Sequence, residues 1–279
     1  MTSRTVSHAM TLAALISVTA LGACGHGHEG GTIQLTVFGE SFIEDGIPAA
    51  QVSDGWDITF DTFLVSIGDA KIGQGHMNTE IVFESPSFAV FDLAQGSGGN
   101  GFAIVSTEVD GGHYDHYQYR IAPDASAVAG NAAQADMDGL KAGGFAVQVK
   151  GSATRDNDTK TFDWGFTAGT LYNHCHTEAD IDDSDATVEL TIHGDHLFLD
   201  DLVAAEPTLT FQLIADADSN GDNDGAITQA ELAAVDITGL ANYGTGSLDI
   251  DNLADFIDQQ VSSMGHIAGE GHCGLQMRE

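Results

Sequence analysis

Basic side chains are scarce in this chain: 8 Lys and Arg stand against 42 Asp and Glu in 279 residues, a formal net charge of −34 at pH 7. So few cations cannot neutralise a phosphate backbone, which excludes nucleic acid as a partner. Proline is equally rare, at 4 against 34 Gly, and that balance favours many turns over long helices. Beyond the N-terminal region no run is apolar enough to cross a bilayer. Gly-x-Ser-x-Gly elbows, phosphate loops and dinucleotide fingerprints are also missing. In so acidic a chain, neighbouring carboxylates by themselves mark no general acid and base. What is present is a hydrophobic fraction of 42%, with 14 Phe, 5 Tyr and 2 Trp, enough to build a core and too much for a disordered acidic tail.

The shortage of cations is uneven. Lys160 is the last before Arg278, and 22 Asp or Glu fall in the 117 residues between them. Six of the twelve His and two of the three Cys lie in the same stretch. An evenly acidic surface serves solubility alone; this concentration points to divalent cations as the balancing charge.

Residues 1–23 carry Arg4 and then the apolar run from Met10, too short for a mature span, and read as a secretory signal peptide. The run ends in Leu21-Gly22-Ala23-Cys24, which resembles the lipobox of bacterial lipoproteins. The resemblance implies a mature chain beginning at a lipidated Cys24, a tether over residues 24–31 containing His26 and His28, and membrane contact through that lipid. Gly25 after the Cys implies the outer membrane by the same resemblance. In an oxidising compartment Cys175 and Cys273 are expected to pair, with thiolate metal ligation as the competing reading.

From Thr32 the pattern is one of short strands. Ile33-Gln-Leu-Thr-Val-Phe, residues 56–67 and Phe145-Ala-Val-Gln-Val alternate at period two, and further runs cover 81–93, 102–109, 113–121, 160–172, 187–193 and 207–214. The expected fold is mainly β, an antiparallel sandwich over residues 32–214. A C-terminal segment over 215–279 would add an EF-hand-like loop and one or two short helices, at Thr228–Val235 and Leu248–Met264.

Counting back from Glu231, the segment Asn220-Gly-Asp222-Asn-Asp224-Gly225-Ala226-Ile227-Thr228 resembles an EF-hand loop, which implies calcium. By that resemblance the ligands are Asn220, Asp222, Asp224, the Ala226 carbonyl, Thr228 and Glu231. Gly225 takes the turn and Ile227 the apolar position. A second register starts at Asp218 and carries two extra residues, Asn223 and Asp224. Thr208–Ile214 reads as a strand, so the expected geometry is strand, loop, helix. Residues 243–252 resemble a degenerate partner loop whose Leu248 would pair with Ile227 and which binds nothing.

The cation-poor half also holds His174-Cys-His176, His193-Gly-Asp-His196, and His266 with His272. On a strand His174 and His176 share a face. A Cys175–Cys273 bond would bring His272 to them, assembling an imidazole site for copper or zinc with Glu178, Asp195 and Glu270 as outer acceptors. His113 and His116, three apart on a strand, should face opposite ways and not share an ion. His76-Met77 reads as a solvated loop.

The order of the Phe60–Ile67 strand, Phe91-Asp-Leu93, the turn into Gly112-His-Tyr-Asp-His-Tyr and the late strands is similar to that of periplasmic copper-binding lipoproteins related to MbnP. That resemblance implies a non-catalytic sandwich able to bind a transition metal and assigns no ligand by position. The expected function is therefore a non-catalytic envelope lipoprotein with structural calcium and a copper or zinc site. A calcium-stabilised adhesion scaffold and a His-metal hydrolase are the alternatives, and the sequence names no protein partner.

Overall fold

The computed structural model describes residues 30–75, 79–182, 184–269, 271 and 273–277. Residues 1–23, read above as a signal peptide, and Cys24, His26, His28, His76-Met77, Glu270 and His272 lie outside them. The chain is mainly β and sandwich-like. In chain order the strands are β1 (Gly31–Gly39), β2 (Asp57–Gln74), β3 (Glu80–Asp92), β4 (Phe102–Val109), β5 (Gly112–Tyr114), β6 (His116–Ile121), β7 (Val128–Ala129) and β8 (Val147–Arg155). They continue as β9 (Asp158–Phe166), β10 (Thr170–Cys175), β11 (Ala179–Ile181), β12 (Ala186–Ile192), β13 (Ala226–Ile227), β14 (Gly265–Ile267) and β15 (Gly274–Met277). One sheet has the order β14-β12-β1-β4; a larger one runs β13-β9-β8-β2-β6-β10-β15, with β3 paired to β2 and β7 paired in turn to β3. A small third sheet joins β5 to β11.

Alternation explains the simple strands. In β9, Phe162, Trp164 and Phe166 are buried while Thr161 and Asp163 are exposed, the period-two signature of a strand with one face on the core. β2 departs from it, with Phe63 to Gly68 buried without interruption, because both of its faces are covered. One face joins the main core. On the other, Leu64 and Val90 meet Met137 and Leu140 of the helix Gln134–Gly143. β2 also pairs β8 through Asp57–Val65 and β6 through Ile67–Gly73, so the large sheet divides along it.

Helices are more numerous than the sequence suggests: α1 (Ser41–Glu44), α2 (Gln134–Gly143), α3 (Gln212–Asn220), α4 (Gln229–Ala233) and α5 (Leu253–Val261) are present among the described residues. The antiparallel expectation also needs amending, because β1 runs parallel to β12, β13 to β9 and β7 to β3. Residues 215–279 do not form a separate appendage. Their strands β13, β14 and β15 join sheets built from the first 214 residues.

Cys175 and Cys273 are bonded, with an S–S distance of 2.03 Å and a sequence separation of 98. Such a loop restricts the unfolded chain strongly. Cys175→Ser is expected to cost about 2–4 kcal/mol in urea unfolding under oxidising conditions, and the variant should no longer respond to dithiothreitol.

Candidate metal sites

Two strand ends and a tight turn gather three histidines. His193 directly follows β12, and a 3-10 turn over Gly194–Phe198 carries Asp195 and His196. β14 lies antiparallel against β12 with His266 opposite Thr191, and the His193 amide donates to the Met264 carbonyl at 2.9 Å. Buried tyrosines fix β14 from below. Tyr119 Oη donates to the His266 carbonyl and Tyr172 Oη to the Ser262 carbonyl, each at 3.1 Å, with the two rings stacked at 4.6 Å. Gly194 is required at the turn, since a Cβ there would lie 2.5 Å from Ile43 Cγ1.

The ring centroids of His193 and His266 are 4.3 Å apart, those of His193 and His196 5.4 Å, and those of His196 and His266 5.6 Å. With metal–nitrogen bonds near 2.0 Å, two imidazoles on a tetrahedral ion place their centroids about 5 Å apart. One ligand atom each from His193, Asp195 and His196 also lies within 4.8 Å of the others. His193 and His266 are buried, at 5% and 6% exposure, while Asp195 and His196 are half-buried and form the open side.

His193 Nδ1 is 3.3 Å from Glu40 Oε2, an ion-pair contact rather than a hydrogen bond; a carboxylate only accepts, so its proximity favours the Nδ1–H tautomer, with the lone pair of the neutral ring on Nε2. That Nε2 is buried and has no hydrogen-bond partner among the described residues. His196 Nδ1 is 3.1 Å from Ser263 Oγ, whose own hydrogen is donated to the Gln260 carbonyl at 2.9 Å. Ser263 therefore accepts from His196, and the His196 lone pair is again on Nε2. Outer acceptors that hold ligating imidazoles in this way are typical of metal sites.

Of the six histidines expected in one cluster, the five described do not converge. His174 and His176 lie instead beside His116, with centroids 5.3 Å and 5.8 Å from it. His113 is separate from His116, as its offset of three implies. Its Nδ1 is 2.7 Å from Asp180 Oδ1, and that bond raises its pKa above the ordinary histidine value. Of the acids proposed as outer acceptors, Asp195 sits among the ligand atoms themselves and Glu178 contributes only a distant charge on His113. Glu40, which orients His193, is 153 positions away in sequence, and no local pattern marks it.

The acidic loop brings Asp218, the first residue of the second register, to Asp222 and Glu231. α3 begins at Gln212, inside the stretch 208–214 expected as a strand, of which only Leu209 makes a β-bridge, to Leu199; the loop therefore lies between two helices. Asp218, in the last turn of α3, is fully buried and accepts from the Gly225 amide at 3.1 Å. Ligand atoms of Asp218, Asp222 and Glu231 lie within 4.8 Å of one another. Asn220 closes α3, exposed. Gly225 turns the loop at φ 91°. Asp224 accepts from the Ala226 amide at 2.8 Å, and Ala226 and Ile227 pair with Thr161 and Phe162 of β9. Leu248 does not meet Ile227 in a paired loop; it is 45% exposed. Thr228 and Glu231 form a capping box that starts α4, so Thr228 serves the helix.

Lys160, the last cation before the acidic stretch, closes this site. Its Nζ lies 2.5 Å from Asp218 Oδ2 and the side chain is buried. The bond to Asp218 raises the lysine pKa against the opposing effect of burial. For Asp218, burial pushes the carboxyl up, but the Lys160 ammonium and the Gly225 amide outweigh it and hold the group low. Neither a protein-family profile, a characterised protein nor a solved structure matches this chain.

Proposed function

We propose that the protein binds a transition metal, copper or zinc, through His193, His196 and His266 with Asp195, and a structural calcium ion through Asp218, Asp222 and Glu231. The observation that carries the first part is the buried Nε2 of His193, without a hydrogen-bond partner among the described residues, on a ring whose other nitrogen lies 3.3 Å from Glu40 Oε2. A buried polar atom without a partner is costly, and an ion coordinated there removes the cost. The role is binding rather than catalysis, in a cell-envelope lipoprotein anchored through Cys24. Purified full-length protein should carry close to one copper or zinc per chain by elemental analysis, together with calcium; calcium alone would favour the scaffold reading.

Glu231 tests the calcium part. Its carboxylate accepts from the Thr228 amide and hydroxyl, each at 2.9 Å, and from the Asp222 amide at 3.3 Å. Those bonds already hold its pKa low. Glu231→Ala should therefore cost about 1 kcal/mol in chelator through the lost cap, and distinctly more in saturating calcium. Equal losses in the two urea-unfolding curves would remove Glu231 from the ion site.

A further inference from the structure

We propose that the two metal sites are coupled through α5: calcium at Asp218, Asp222 and Glu231 tightens transition-metal binding at the histidines, and the transition metal tightens calcium binding by the same factor. The coupling rests on both assignments made above. One stretch of chain joins the sites, from Glu231 in the first turn of α4 to His266 on β14. Its middle is pinned. Where α4 gives way to α5, the Leu253 amide donates to the Val235 carbonyl at 3.1 Å and the Ile237 amide to the Asp251 carbonyl at 3.0 Å. Asp236 and Asn252 oppose each other there in a β-bridge, and Leu232 of α4 is buried in the same core as Leu253, Phe256 and Ile257 of α5.

All three histidines depend on the far end of α5. The Ser263 hydroxyl, two residues past the helix, accepts from His196 Nδ1. The Met264 carbonyl accepts from the His193 amide, and His266 follows two residues later. Gln260, 3% exposed, donates from Nε2 to the Leu199 carbonyl at 3.1 Å. That bond ties the last turn of α5 to the 3-10 turn carrying Asp195 and His196. A shift of α5 therefore moves Ser263, Met264 and His266 together.

The calcium loop supplies the two states. Without an ion, ligand atoms of Asp218, Asp222 and Glu231 crowd within 4.8 Å of one another, and the Lys160 ammonium on Asp218 offsets one of these three charges. Like charges so close repel. The repulsion acts on the first turn of α4, where Glu231 sits, and lowers the local stability of that helix and of α5 packed on it. Calcium removes the repulsion and fixes Glu231 to the end of α3, so that α4 and α5 are held before the second ion arrives. An ion that meets a segment already ordered binds more tightly, and linkage makes the gain reciprocal. General electrostatics has the opposite sign, since calcium spread over an acidic surface screens its attraction for a second cation.

Isothermal titration of zinc into the full chain, stripped of ions, tests the coupling, with His193→Ala as the blank for zinc bound elsewhere. Saturating calcium should tighten zinc binding by about 5- to 150-fold relative to sodium at equal ionic strength, and saturating zinc should tighten calcium binding by the same factor. Glu231→Ala should bind zinc equally in the two solutions. Gln260→Met, which releases the end of α5 without touching a ligand, should bring the factor toward one while both ions still bind. Zinc affinity that is equal in calcium and sodium, or weaker in calcium, overturns the coupling and leaves both sites standing. A wild-type factor retained in Glu231→Ala or in Gln260→Met overturns it as well. Absence of zinc binding above the blank in either solution overturns the histidine assignment itself, and the coupling with it.

Discussion

His193→Ala is expected to weaken zinc or copper binding by at least about 100-fold, because it removes a ligand whose lone pair is already aimed and desolvated. Glu40→Gln should weaken it by about 10- to 100-fold, the usual effect of losing an outer-shell partner. The two variants separate ligation from orientation, since only the second retains the imidazole. Metal at a hundredfold excess over Kd stabilises the wild type by about 2.7 kcal/mol, roughly 5–10 °C in Tm for a chain of this size. That shift should vanish in His193→Ala and shrink in Glu40→Gln, as differential scanning calorimetry with and without the ion will read. An undiminished shift in His193→Ala would place the ion elsewhere. Affinity should also fall as the pH is lowered, because protons compete with the metal for the imidazole nitrogens.

Lys160→Met should destabilise the ion-free protein by about 3–5 kcal/mol, the cost of leaving a buried carboxylate without its cation. Asp218 is fully buried, and its low pKa rests largely on Lys160. Methionine approximates the lysine stem, so the loss is one of charge more than of packing. In saturating calcium most of the deficit should disappear, since the ion supplies the missing positive charge against Asp218, Asp222 and Glu231. The same variant should bind calcium more tightly than wild type, because no ammonium has to be displaced. Urea unfolding in chelator and in calcium measures the first effect and isothermal titration the second. A deficit of the same size in both solutions would mean that calcium does not reach Asp218.

Strands that bury one face were legible in the sequence, β9 most plainly, because Phe162, Trp164 and Phe166 alternate with polar residues. The start of α3 was not. Thr208-Leu-Thr-Phe-Gln-Leu-Ile alternates as a strand does, but Asp54 Oδ2 accepts from the Thr210 hydroxyl and from the amides of Phe211 and Gln212. A carboxylate more than 150 positions away thus initiates the helix and overrides local pattern. That helix in turn selects the loop register, since it buries Asp218 beneath Gly225. The histidine pairs were visible as pairs, but their partition was not. Convergence depends on the β12–β14 pairing for one group and on the β6–β10 pairing for the other, and neither pairing leaves a local trace. Glu40 and Ser263 escaped for the same reason.

The place of β12 has a consequence for timing. β1 pairs along its length with β12, its residue Ile33 opposite Ala186, and β12 must then receive β14 before His266 reaches His193. A chain made from its N-terminus therefore lacks β12 until residue 192 has emerged, and both the four-stranded sheet and the imidazole cluster stay incomplete until β14 (Gly265–Ile267) has followed. Contacts so distant in sequence form late and slowly. On the proposed assignment, an ion at His193 would be captured only after synthesis, by the folded polypeptide, and would come from the metal supply of whichever compartment folding occurs in.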